Sequence, residues 1–257
     1  MMTTARRASS FLANKGLFPE HTYQAFGRWD LSLPLKENVR RVREDNTVGG
    51  PSLGWLNDFG KVLLRRFGPA GPDVSLVELA QRGCPLSTWK PLLLWHGAAT
   101  DSLLTSFLSD WLLKEKERGV VRITGAAAEG FLRQFLARLP GTSWSDANIT
   151  AAAGGLLRTA SSFGLLTSGR VRGFAPFQLP QDSFLYCAHH LTQKHQSTSR
   201  VVSDPAWRLF LMTPDIVETE LFRLHQLGRL QFDRAGSLVD LRLPFKSAAE
   251  FARRMIA

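Results

Sequence analysis

Apolar residues recur every three or four positions through the first 118 residues, which is the spacing of amphipathic helices. One such stripe begins at Leu35, and another runs from residue 52 to Phe67. The segment Gly49-Gly50-Pro51 interrupts the chain between them, so the two stripes predict a helix-turn-helix-like pair. The same spacing predicts further helices at residues 19–27, 87–96 and 101–118.

Residues 120–174 carry the order of elements found in a winged helix. Residues 120–124 read as a short strand, 126–139 and 145–163 as two helices, and 165–174 as a basic hairpin. A fold with this order often carries a helix into a DNA groove. The pattern therefore predicts a winged-helix-like unit in the second half of the chain.

The last third predicts more helices and a second hairpin. A helix at 180–191 precedes a polar loop at 193–204, and Thr213-Pro214 opens a helix that ends at Gly228. Apolar and polar residues then alternate around Ala235-Gly236, which predicts a hairpin over 230–243, before a short final helix. We therefore predict a mainly α fold of two packed helical domains. Residues 1–118 form the first, and residues 119–257, with winged-helix-like β-hairpins, form the second.

The charge of the chain favours a polyanionic partner. Its 257 residues include 32 Lys and Arg against 22 Asp and Glu, a formal net charge of +10, and 44% are hydrophobic, as in globular proteins. Nucleic acid or an acidic membrane surface would match this excess. A basic globular protein with no such partner is the alternative.

The two cysteines and the apolar runs bear on location. Cys84 and Cys187 are too few for a disulfide framework, which fits a reducing cytoplasm. No apolar run reaches the roughly 18–20 residues that cross a bilayer, so we expect a cytoplasmic protein that does not enter the membrane.

The first group of candidate phosphate contacts lies in the winged-helix-like unit. Arg158 is on its second helix, while Arg170 and Arg172 occupy alternate hairpin positions and hence one face. Asn148 adds a hydrogen-bonding group to the helix, together with Ser145, Thr150 and Thr159. Such side chains supply most phosphate contacts in protein–DNA complexes. A solvated basic surface is the alternative interpretation.

The second group flanks the turn of the helix-turn-helix-like pair. Its members are Arg40, Arg41, Arg43, Ser52, Lys61, Arg65 and Arg66. Carboxylates at Glu37, Glu44, Asp45 and Asp58 dilute this patch. It therefore predicts a DNA contact, a solvated helix face or a surface for a partner protein.

Catalytic and metal-binding motifs are weak. Cys187-Ala-His-His190, with His195 nearby, has metal-ligand residue types but no second Cys or His pair. Ser87-Thr-Trp-Lys90 matches Ser-x-x-Lys without the Lys-Thr-Gly element that accompanies it in acylating enzymes, so a helix cap explains it better. Phosphate-loop, His-Glu-x-x-His and Gly-x-Ser-x-Gly motifs do not occur. We predict no catalytic residue, no metal and no cofactor.

Several blocks of this chain resemble a known family. They are Val42-Arg-Glu-Asp-Asn46, Leu63-Leu-Arg-Arg-Phe67, Leu92-Leu-Leu-Trp95 with 103–117, Trp144-Ser-Asp146, Leu156-Leu-Arg158 and Gly164-Leu-Leu166. In order and spacing they resemble the BrxA family of BREX phage-defence systems over about residues 18–166. The resemblance implies a mostly helical, two-domain protein that binds double-stranded DNA without known catalysis, beside larger BREX components.

One turn departs from the family pattern, in which the residues after Glu-Asp-Asn are often basic and rich in serine. Here residues 47–52 contain no basic side chain. A phosphate contact at this turn would therefore come from backbone N–H groups or from Ser52.

These observations lead to one function and its rivals. We expect a non-enzymatic accessory protein of phage defence that binds double-stranded DNA. The rival is an adaptor that docks a methyltransferase or ATPase subunit through its basic face. A nuclease would need a carboxylate cluster, and the sequence does not indicate one.

Overall fold

A computed structural model describes residues 8–68, 70–236 and 238–255 of the chain. The N-terminal half begins with six helices. Their bounds are α1 Ser10–Lys15, α2 Pro19–Gly27, α3 Leu35–Glu44, α4 Leu53–Phe67, α5 Val74–Gln81 and α6 Leu86–Ala99. Ser52 and Asp73 cap α4 and α5 by accepting backbone N–H bonds.

A continuous helical stretch follows α6 and contains an unusual turn. It consists of α7 Ser102–Thr105, a π-helical segment Ser106–Leu112 and α8 Leu113–Glu117. The π-helical backbone is wider than an α-helix, and such segments are often found at functional sites. The sequence spacing predicted a helix here but not its change of pitch.

Two helices form the centre of the second half. Thr124 caps α9 Gly125–Ala137, and Ser145 caps α10 Asp146–Ser162. The predicted strand at 120–124 and hairpin at 165–174 are reduced to two isolated antiparallel bridges, Ile123–Arg172 and Leu166–Phe174. The order of elements is as predicted, whereas the extent of strand pairing is smaller.

The remaining elements complete the helical core. They are α11 Gln181–Lys194, α12 Thr198–Val202, a 3₁₀ segment Pro205–Phe210, α13 Pro214–Gln226, strands β1 Gln231–Ala235 and β2 Leu238–Arg242, and α14 Ala248–Arg254. The predicted hairpin at 230–243 is confirmed, with Phe232 opposite Leu241 and buried. The predicted loop at 193–204 is wrong in part, because α12 lies inside it. The mainly α fold class is confirmed.

Packing crosses the predicted boundary at residue 118. Helix α1 lies against α10, and α14 lies against α5 and α11. The buried apolar side chains of both halves belong to one continuous cluster. The division into two domains stays a prediction, and the described contacts place its two parts in fixed relation.

A glycine on α10 makes the contact with α1 possible. A Cβ atom at Gly155 would lie 2.1 Å from the carbonyl oxygen of Ala13. The added Cβ and the carbonyl oxygen are both fixed by the backbone, so rotation of a side chain could not relieve the clash. Gly155 is therefore the notch into which the backbone of α1 fits.

Replacing Gly155 with alanine is expected to destabilise the protein by about 1–3 kcal/mol, because the added methyl group must push α1 away. Gly130→Ala on α9 is the matched control. Its Cβ would meet nothing within 4 Å, so the usual gain of about 0.5–1 kcal/mol for alanine in a helix is expected. Urea unfolding measures both, and equal effects of the two variants would contradict the notch.

Candidate nucleic-acid interface

The turn between α3 and α4 is closed by hydrogen bonds from the side chain of Asn46. Asn46 adopts a left-handed backbone with φ +44°. Its Oδ1 accepts from the Gly50 N–H at 2.6 Å, and its Nδ2 donates to the Gly50 carbonyl at 3.0 Å. Ser52 is exposed, and its oxygen accepts from the Trp55 N–H at 3.2 Å, so its hydroxyl hydrogen is still able to donate.

Most of the basic groups beside this turn are neutralised by neighbouring carboxylates. Arg40 binds both Glu37 and Glu44, and the Glu37 carboxylate raises the pKa of Arg40. Arg41 lies 3.6 Å from an oxygen of Asp30, and Lys61 lies 3.4 Å from Asp58. Arg43 is exposed and makes no ion pair with the described residues. The local surplus of positive charge is therefore small.

Arg65 and Arg66 point in different directions from α4. The guanidinium of Arg65 stands over the Phe11 ring, 4.7 Å from its centroid. Arg66 is only 3% exposed and donates to the carbonyls of Gly16 and Leu12, each at 3.1 Å. The prediction of a DNA contact for Arg66 is therefore wrong, because its side chain lies inside the protein.

An ion pair completes the environment of Arg66. Its Nη1 lies 3.0 Å from Oδ2 of Asp101, just before α7. Burial lowers the pKa of Arg66, and the Asp101 carboxylate opposes that shift. The guanidinium thus joins α4, the carbonyls of α1 and the start of α7.

The second helix of the winged-helix-like unit is covered on one face. Arg158 on α10 is exposed, but its Nη2 donates to both the carbonyl and the side-chain oxygen of Asn14, each at 3.0 Å. Thr159 is buried and donates to the carbonyl of Gly155. Asn148, in the first turn of α10, is exposed. Helix α1 therefore covers the part of α10 near Gly155 and Thr159, and Arg158 is already bonded to it.

The hairpin arginines line an open cleft. Arg170 and Arg172 line a cavity of about 450 Å³ together with the start of α9, at Thr124, Gly125 and Ala126. Arg170 is exposed and has no hydrogen-bond or ion-pair partner among the described residues. The first N–H groups of a helix lack partners within it and favour anions. The cleft thus combines two guanidiniums with a helix start.

Arg172 is held in place beside a like charge. Its Nε donates to the Ser161 hydroxyl at 3.1 Å, and its backbone pairs with Ile123. Burial lowers the pKa of Arg172, and the neighbouring Arg158 guanidinium lowers it further. An anion at this position would relieve the repulsion between the two guanidiniums.

One further basic residue of this region, Arg122, is not among the contacts that the sequence predicts. Arg122 is exposed next to Ile123, which bridges to Arg172, and it has no ion-pair partner among the described residues. The pairing of residues 120–124 with a hairpin 50 residues later places Arg122 here. In the sequence, its place in the predicted strand 120–124, next to the apolar Ile123, indicates an exposed basic side chain at the edge of the winged-helix-like unit.

The weaker motifs have structural roles in the described chain. Cys187 is buried on α11, and Lys90 of the Ser-x-x-Lys match pairs with Glu20. The predicted helix cap at Ser87 is wrong, because α6 begins at Leu86 and Ser87 therefore lies inside its first turn. Within residues 8–68, 70–236 and 238–255, no three His, Cys, Asp or Glu side chains converge as metal ligands would. In the same residues, no helix is both long and apolar enough to cross a membrane.

Comparison with known proteins shows similarity of fold alone. No protein-family model matches this chain, and no curated protein matches it significantly. The crystal structure of an uncharacterized protein from Magnetospirillum magneticum is similar, with a TM-score of 0.60 and 13% identity, over 80% of this chain and 100% of that one. Magnesium-ion-bound SspB is similar with a TM-score of 0.63 and 12% identity, over 98% of this chain and 87% of that one.

Arg66→Met is expected to lower the free energy of unfolding by about 3–5 kcal/mol, because it leaves Asp101 and two helix carbonyls without their buried partner. Arg43→Met removes the same charge from an exposed position and should change stability by less than about 0.5 kcal/mol. Urea unfolding of both variants decides the point. A mild effect of Arg66→Met would show that α1 does not depend on this guanidinium.

Proposed function

We propose that this protein is a non-enzymatic accessory protein that binds double-stranded DNA in a bacterial, BREX-like phage-defence system. The observation that carries the proposal is the cleft between the hairpin and α9. There Arg170 is unpaired among the described residues, and Arg172 lies close to a second guanidinium. A phosphate group would fit this combination of cations and helix N–H groups.

Binding through this cleft would be led by the hairpin. Since α1 covers one face of α10, the hairpin and the first turns of α9 and α10 are the parts free to approach DNA. Contacts made there to phosphate groups carry no sequence information directly. We therefore expect largely electrostatic binding with a modest sequence preference.

The placement in phage defence rests on the resemblance of residues 18–166 to the BrxA family. Other BREX components are the partners that this resemblance implies. A reducing cytoplasm is the proposed location, and the free, buried state of Cys84 and Cys187 is in keeping with it.

A second candidate function is supported by apolar surface near the same arginines. Val121 is 77% exposed and Val171 is 50% exposed. Val171 directly precedes Arg172, and Val121 lies two residues before Ile123, so both are close to the bridge between Ile123 and Arg172. Apolar side chains rimmed by charge are typical of protein interfaces. An adaptor that docks a methyltransferase or ATPase subunit would use this surface.

The double variant Arg170→Gln with Arg172→Gln is expected to weaken DNA binding and to flatten its salt dependence. Each lost phosphate contact should reduce the slope of log K against log [salt] by about 0.9, so a change of about 2 is expected for the pair. Fluorescence anisotropy with a labelled duplex, repeated over a salt series, measures the slope.

The double variant Arg40→Gln with Lys61→Gln is the control, because it removes the same two charges from groups already paired with carboxylates. An equal loss of DNA affinity in both double variants would show that binding depends on overall charge, and it would contradict a binding site in the cleft. If neither variant changes binding but Val121→Ser with Val171→Ser abolishes capture of a defence subunit, the adaptor is the better function.

The non-enzymatic part of the proposal has its own test. Supercoiled plasmid incubated with the protein and Mg²⁺ is expected to remain supercoiled, at protein concentrations that saturate the DNA. Gel electrophoresis over time detects nicked or linear products. Metal-dependent nicking that copurifies with the protein and disappears in a structure-preserving variant would overturn it.

A further inference from the structure

A second cavity shares no lining residue with the cleft at the hairpin. Its volume is about 510 Å³, within the range of about 300–1,000 Å³ that is usual for small-molecule pockets. Residues of α6, the π-helical segment, α11 and the 3₁₀ segment line it. None of the residues discussed for DNA contributes to this cavity.

Two residues that line the cavity carry buried polar atoms without a hydrogen-bond partner in the protein. They are Oγ of Ser109 and Nε2 of His190. Ser109 is only 5% exposed. A buried polar group without a partner is costly, and native proteins seldom keep one without a reason such as a ligand or ordered water.

The π-helical segment explains why Ser109 has no partner. Serine and threonine within an α-helix commonly donate to the carbonyl four residues earlier, as Thr159 and Ser161 do on α10. In the wider turn the backbone bonds reach five residues back, as from Leu113 to Leu108. The Ser109 hydroxyl is thereby left to bond something else.

The walls of the cavity suit a flat ring. Trp95 lines it and is itself fixed by Phe210, whose ring is parallel within 5° and 6.3 Å away. Leu209 adds an aliphatic surface. Burial lowers the pKa of His190, which favours the neutral imidazole, and neutral Nε2 either donates or accepts according to tautomer.

Charges at the cavity disfavour a polyanion. Asp204 is satisfied by Lys194, His195 and the Ala206 N–H. Lys194 is thus committed to a carboxylate, and Asp110, which is exposed and makes no ion pair among the described residues, adds a negative charge to the cavity wall. A nucleoside triphosphate would meet net repulsion here, whereas an uncharged ring system would not.

From these features we infer that the cavity binds a nucleobase, with the ring against Trp95 and its polar edge bonded to Ser109 and His190. A nucleobase offers adjacent donors and acceptors on an otherwise apolar ring, which matches one hydroxyl and one imidazole nitrogen. The base could belong to a free nucleoside or to a nucleotide extruded from DNA. The nucleobase would bind here whether or not the hairpin contacts DNA.

Isothermal titration calorimetry with adenosine, guanosine, cytidine and thymidine tests the site. At least one nucleoside should bind the full chain, and Ser109→Ala and His190→Leu should each weaken it about tenfold, the effect of one lost hydrogen bond. The control is His189→Leu, because His189 also has a buried Nε2 without a partner but does not line the cavity. Failure of all four nucleosides to bind, or an equal loss in the control, would overturn the inference.

A rim variant guards against loss of folding. Ala99 is exposed at the end of α6 and lines the cavity, so Ala99→Trp should fill it without changing the thermal midpoint of the free protein. It is expected to abolish nucleoside binding, and retained binding would contradict the site. The affinity for a duplex with one unpaired base then shows where the bound base comes from. If Ala99→Trp weakens binding to this duplex, the cavity takes a base extruded from DNA. If the affinity is unchanged, the cavity takes a free nucleoside.

Discussion

A buried guanidinium is the interaction on which the arrangement of helices depends. Arg66 extends from α4 and satisfies two carbonyls of the α1 region while it neutralises Asp101. Because α1 in turn lies in the notch at Gly155, this side chain helps to link α10 to the N-terminal helices. Removing a single partner from such a buried group costs far more than the group contributes when complete.

The formal charge of +10 is distributed unevenly once ion pairing is considered. Beside the α3–α4 turn, most basic side chains form ion pairs with nearby carboxylates, which are Asp30, Glu37, Glu44 and Asp58. At the hairpin, neither Arg170 nor Arg172 forms an ion pair with a carboxylate among the described residues. Surplus charge at a given place is thus decided by three-dimensional pairing, and a sequence total does not show where it lies.

Helical spacing and capping residues allowed most of the fold to be predicted. Ser52 and Ser145 start their helices because the side-chain oxygen accepts an N–H that the helix itself leaves unpaired. The opposite environments of Arg65 and Arg66 could not be predicted, since adjacent helical residues point about 100° apart and only the position of α1 decides which is inside. The six residues of α1 are too few to give a clear apolar period, and the π-helical turn depends on packing. The hairpin arginines were predicted as a pair on one face, whereas the neighbouring α9 start and Arg122 required the long-range bridge.

The sandwiching of α1 has a consequence for the order in which the molecule is assembled during synthesis. Its carbonyls need Arg66, and its packed face needs α10, which ends at residue 162. The ribosome therefore releases this helix well before either of its two supports is complete, and a helix of six residues is too short to persist alone in water. Helix α1 consequently acquires its final place only after α10, more than 100 residues further along the chain, has been made.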